Sequence, residues 1–62
     1  MVNTVEFQGD TWEAHFAPDG EVEILKNGHR FDIGFDDGEV IHHTRRTPEE
    51  VLKALEEGVG NG

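Results

Sequence analysis

Four reversal signals punctuate the chain at short intervals: Gly9-Asp10, Pro18-Asp19-Gly20, Asn27-Gly28 and Asp36-Asp37-Gly38. Between them the apolar residues alternate: Val5 and Phe7; Trp12, Ala14 and Phe16; Val22 and Ile24; Phe31, Ile33 and Phe35. Successive side chains of a strand point to opposite faces, so this spacing predicts consecutive β-hairpins with one apolar face. Strands are expected over 2–8, 11–17, 21–26, 29–35 and 39–45.

The turn residues also predict the register. Asn27-Gly28 suits a two-residue loop whose residues both have positive φ, pairing Ile24 with Phe31 and Val22 with Ile33. Pro18-Asp19-Gly20 suits a type I turn ending in a left-handed Gly, pairing Phe16 with Val22 and Ala14 with Ile24. A loop at Gly9-Asp10 pairs Phe7 with Trp12 and Val5 with Ala14, which places Trp12 in the core. For the last hairpin, a loop at Asp36-Asp37-Gly38 pairs Ile33 with Ile41 and turns His43 inward. A loop at Asp37-Gly38 alone would pair Phe35 with Val40 and turn His42 inward instead, because a one-residue slip exchanges the faces. The first is preferred, since it sets Asp32 opposite His42.

The segment "TPEEVLKALEEG" predicts a helix over 48–57. Thr47 is the expected N-cap, with Pro48 in the first helical position and Glu50 completing a capping box. Val51, Leu52 and Leu55 form an apolar stripe, and Gly58 stands where a C-terminal cap belongs. A helix this short does not persist alone in water and must dock on the sheet. The expected fold class is therefore α+β: an antiparallel β-meander of four to five short strands with one C-terminal α-helix packed on one face. Residues 1–57 form a single domain in this reading, with 58–62 as a flexible tail. Gly34, inside a strand, marks a bend or a close approach by the helix.

Composition narrows function mainly by exclusion. The 62 residues include 14 Asp and Glu against 5 Lys and Arg, a formal net charge of -9. Such a surface repels phosphate backbones, so neither direct nucleic-acid binding nor membrane binding is expected. The acidity fits high-salt folding, a basic partner, or plain solubility. With only two lysines and much Asp, Glu and Gly, the composition resembles that of proteins from salt-loving archaea. The lack of cysteine removes disulfides and thiolate metal sites. No apolar run approaches the ~20 residues of a membrane span, and "MVNTVEF" lacks a signal-peptide layout. A cytoplasmic protein is the expectation.

The predicted register aligns His15, Glu23, Asp32 and His42 in one row on the charged face, with Thr4 at its end. The neighbouring row runs Glu6, Glu13, Leu25, Arg30 and Thr44. Imidazole and carboxylate are ordinary ligands of a divalent cation, so the first row is a candidate metal site. The competing reading is a solvated, charge-compensated face, because side chains in a flat line converge poorly on one ion. Catalysis has little to stand on. The sequence has no Ser, Cys or Tyr, and one thin sheet with one helix leaves little room for a water-excluding pocket. No catalytic residue and no cofactor is implied.

The stretch "VIHHTRR" concentrates basic and titratable groups where the sheet ends and the helix begins. Arg45 and Arg46 could simply neutralise acids such as Glu49 and Glu50. Alternatively, Arg45, Arg46 and His43, together with Arg30, form a partner-binding corner. The expected function is a small non-catalytic protein-interaction module, using a sheet edge or the charged face to bind a protein partner or a second copy. The alternative is an acidic nucleic-acid mimic that blocks a basic DNA- or RNA-binding protein. Divalent-metal binding is a minor third.

Overall fold

Three of the four hairpins form from turn chemistry that is local to them. In the computed structural model, which describes residues 2–38 and 40–58, Asn27 and Gly28 both take positive φ, 52° and 85°. They join β3 (Glu21–Lys26) to β4 (His29–Asp36) through the pair Lys26–His29. The Pro18 turn likewise closes with a left-handed Gly20, and β2 (Asp10–Phe16) meets β3 with Ala14 opposite Ile24 and Phe16 opposite Val22, as expected. β1 (Val2–Phe7) and β5 (Ile41–His42) complete a five-stranded antiparallel sheet in the order β1-β2-β3-β4-β5, curled into a half-barrel. The helix α1 (Glu49–Glu57) follows, making the α+β arrangement that the alternation predicts.

The first hairpin turns one residue earlier than expected. Its loop is Gln8-Gly9, with φ of 51° and 85°, so Val5 faces Trp12 and Asn3 faces Ala14. This slip is two residues along the strand, which leaves every side group on its expected face. Its consequence is that Asn3, on the core side, lies opposite the buried Ala14, where its Nδ2 donates to the Leu55 carbonyl near the end of α1.

The larger departure is in β4. Leu25 pairs with Arg30, but Ile24 pairs with Asp32, leaving Phe31 unopposed in a β-bulge. Beyond that extra residue the faces of β4 exchange. Gly34 now lies opposite the buried Val22, and Asp32 opposite the buried Ile24. Ile33 and Phe35, expected beneath the sheet, stand outward with 44% and 52% of their surface exposed.

The last strand corrects both expected registers. Phe35 pairs with His42 and Asp36 with Ile41, and among the described residues of the expected 39–45 only Ile41 and His42 form β5. Ile41 points into the core, while His43 leaves the strand with φ of 65° and is exposed rather than inward. Gly34 does mark a close approach, but of β5 and not of the helix: a Cβ there would lie 2.5 Å from the His42 carbonyl oxygen.

The core gathers Val5, Trp12, Ala14, Val22, Ile24 and Ile41 from the sheet with Val51 and Leu55 from α1. Trp12 is buried, as its alternation implies, and its ring meets Phe31 edge-on at 5.1 Å. Each large apolar side group buried in this way contributes roughly 1.5–3 kcal/mol, and this docking holds a helix too short to persist alone. Gly58 takes the left-handed C-cap conformation at φ 72°, with its N–H on the Ala54 and Leu55 carbonyls. The N-terminal capping box is absent. Pro48 is the N-cap and has no side-chain polar group with which to cap, and the Thr47 hydroxyl is engaged elsewhere. The tail residues 59–62 lie outside the described residues.

Candidate functional site

The bulge delivers Asp32 to the junction between sheet and helix. Its Oδ2 accepts the backbone N–H groups of Arg45 at 3.0 Å, Arg46 at 2.8 Å and Thr47 at 3.0 Å, and the Thr47 hydroxyl at 3.0 Å. Its Oδ1 accepts its own neighbour's N–H, from Ile33, at 2.9 Å. Burial pushes the Asp32 carboxyl up, but the bonds from the Arg46, Ile33 and Thr47 backbone and the Thr47 hydroxyl outweigh it and hold the group below the ordinary value of 3.8. Thr47 is thus a partner of Asp32 and not a helix cap. With three successive N–H groups aimed at one carboxylate, Asp32 satisfies backbone donors that would otherwise be orphaned.

This wrapping fixes the two neighbouring arginines differently. Arg46 lies over the Phe31 ring, its guanidinium carbon 4.2 Å from the centroid, and donates through Nη1 to the Phe31 carbonyl at 3.1 Å. A second cation, Lys26, sits 5.3 Å from the same ring and 5.4 Å from that of Trp12. Arg45 contributes its N–H, and its guanidinium arm is exposed. Among the described residues neither Arg45 nor Arg46 reaches a carboxylate within ion-pair distance, so they do not neutralise Glu49 or Glu50. Arg30 makes one long contact, 3.3 Å from Nη1 to Glu23 Oε2, with 68% of its side-chain surface exposed.

Arg30, Phe31, Asp32, Ile33 and Arg46 together line an open concavity of about 420 Å³. Two of the expected partner-binding residues, Arg30 and Arg46, are therefore brought to one place. His43 falls on the adjoining outward patch, edge-on to Phe35 at 6.0 Å, beside His42. Arg45 does not line the concavity. Sequence reasoning missed Ile33 and Phe35 as surface residues, since their alternation reads as core in an unbroken strand, whereas Phe31 is half-buried and packs against the core as expected.

The candidate metal row is dispersed by the same bulge. His15 and Glu23 are directly opposed on the outer face, as expected. Asp32 lies on the other face, opposite Ile24, and Ile33 takes the place assigned to it beside Glu23. His42 lies beyond, opposite Phe35, with Nε2 2.7 Å from Asp37 Oδ2. Among the described residues no three His, Asp or Glu side groups are placed to hold a metal ion. His15 Nε2 is 3.6 Å from Glu13 Oε1, too long for a hydrogen bond, so a charge contact is the most that pair makes.

No protein-family model, curated protein or solved structure matches the sequence. No helix among the described residues is long and apolar enough to cross a membrane, which says nothing of a β-barrel.

Proposed function

We propose that this protein is a small non-catalytic interaction module that binds another protein through the outward half of β4 and two of the arginines beside it, Arg30 and Arg46. The observation that carries the reading is the bulge at Phe31, which turns Ile33 and Phe35 into solvent next to Arg30 and Arg46. Apolar anchors beside arginines whose carboxylate pairing is limited, among the described residues, to the one 3.3 Å contact of Arg30 with Glu23 are the composition of an interface centre. His43, packed against Phe35, and His42, opposite it, extend that patch toward the end of the sheet.

The acidic-mimic reading draws less support. Leu25, Ile33 and Phe35 interrupt the acidic rows on the outer face, so the carboxylates do not repeat as phosphates do.

The test compares proteins captured from the native cell by the wild type, by an I33S/F35S variant and by R45Q. Capture that survives R45Q but is lost in I33S/F35S supports the interface. Sedimentation of the same variants decides whether a second copy is the partner. An unchanged set of captured proteins and an unchanged mass in I33S/F35S would remove this face from the function.

A further inference from the structure

We infer that the concavity between Arg30 and Arg46 receives a carboxylate carried next to an apolar side group on a segment of the partner protein. The inference rests on the interaction reading above and names the chemistry of one contact within it.

Arg46 is the fixed element of the concavity. Its guanidinium is tied down by lying over the Phe31 ring and by the bond from Nη1 to the Phe31 carbonyl. That leaves further N–H groups of a rigid fork to face the space that the residue lines. A planar fork pairs with a carboxylate through two parallel bonds, and a fork already immobilised loses little entropy in doing so. Arg30, mostly exposed and held only by its long contact to Glu23, can turn toward the same point.

Charge decides between anions. The lining brings two guanidinium charges against the single charge of Asp32. Asp32 is engaged by four donors at Oδ2 and by Ile33 at Oδ1, so it has little capacity left to compete for the arginines. Among the lining residues the balance is positive by one, within a protein of net charge -9, and it is realised when Arg30 turns away from Glu23, its 3.3 Å partner outside the lining. A singly charged carboxylate matches that balance. A phosphate group carries roughly two charges and would meet the repulsion of the surrounding acids. Phe31 and Ile33 supply apolar wall on the same concavity, which is why the carboxylate is placed beside an apolar group. A second copy of this protein is the weaker occupant, since it would bring two bodies of charge -9 together.

The carboxylate could belong to an acidic residue within the partner or to the partner's C-terminus. The experiment separates them with backbone and arginine Nε–H NMR of the full-length protein, titrated with three probes: acetyl-Leu-Glu-amide, acetyl-Leu-Gln-amide and acetyl-Ala-Leu with a free C-terminus. Saturable shifts at Phe31, Ile33 and the Nε–H groups of Arg30 and Arg46 are expected with a carboxylate probe, and the stronger of the two names the source. R46Q should weaken that binding by about tenfold, the equivalent of about 1.4 kcal/mol. R30Q, at an exposed position, provides the same test if R46Q disturbs the fold, and R45Q should leave binding unchanged. Equal shifts with the glutamine probe, or none with either carboxylate, overturn the inference. Neither result touches the wider interaction reading, which stands or falls on I33S/F35S capture.

Discussion

The Asp32 carboxylate and the Thr47 backbone N–H meet at 3.0 Å, tying β4 to the residue before the Pro48 N-cap of the helix. The same oxygen holds Arg45 and Arg46, so one side group sets the path of the whole junction. Asp32→Asn removes the charge and places an amide donor among donors. Hydrogen bonds to a charged group contribute roughly 1.5–3 kcal/mol, and partial exposure discounts that here, so a loss of about 1–2 kcal/mol is expected. Urea denaturation measures it. A midpoint equal to that of the wild type would show that the junction is held by something else.

The same contacts make a statement about acid. Asp32 is held below its ordinary value of 3.8 in the folded protein. Its contribution is therefore whole at pH values above the unfolded value, and it is lost as pH falls through the lower folded value. The folded protein should weaken on that acid limb, and Asp32→Asn should flatten it, because the variant has no proton to bind there. Parallel acid limbs for the two proteins, followed by fluorescence of Trp12, would refute the assignment.

Gly34 answers to space rather than to backbone freedom. A Cβ there would lie 2.5 Å from the His42 carbonyl oxygen and 2.7 Å from Thr44 Cγ2. Gly34→Ala should cost roughly 1–3 kcal/mol, the range for overpacking a site that cannot easily give. The strain should appear first in β5, whose Ile41 N–H donates to Glu56 Oε1 on the helix at 3.1 Å. Amide exchange at Ile41 should therefore accelerate more than exchange at Val22. Uniform acceleration would mean that the whole sheet, and not its last strand, absorbs the added methyl.

What could be read from the residues follows how local their instructions are. The pairs Ala14–Ile24 and Lys26–His29 were legible because Pro18-Asp19-Gly20 and Asn27-Gly28 dictate their turns within a few residues. Gln8 was not legible as a turn residue, since a non-Gly residue at φ 51° is uncommon. The bulge was hidden for a different reason. In an unbroken β4, Ile33 faces the core and Asp32 faces water, which is what alternation predicts. The alternative is stabilised by three N–H groups more than ten residues downstream, at Arg45, Arg46 and Thr47. No pattern within 29–36 announces that demand. The candidate site inherited the same limit. Arg30 and Arg46 could be singled out by type and position, but the apolar surface between them exists only once Phe31 is unopposed.

Asn27 permits a separation of backbone and side-chain effects at a single turn. Its φ of 52° is left-handed, its Oδ1 accepts the Thr11 N–H at 2.9 Å, and its Nδ2 donates to Asp10 at 2.9 Å. Asn27→Gly keeps the backbone conformation and deletes both bonds. These are exposed, so the loss should be near the low end of the roughly 0.5–1.5 kcal/mol typical of a hydrogen bond. Asn27→Ala deletes the same bonds and keeps a Cβ in the left-handed region without the local hydrogen bonds that let Asn tolerate it, a strain of about 1–2 kcal/mol that the Gly variant does not carry. The alanine variant should thus be the less stable of the two by that amount, read from thermal or urea midpoints. Equal stabilities would mean that the turn relaxes to another conformation, and the pairs Lys26–His29 and Leu25–Arg30 would then have to be reset with it.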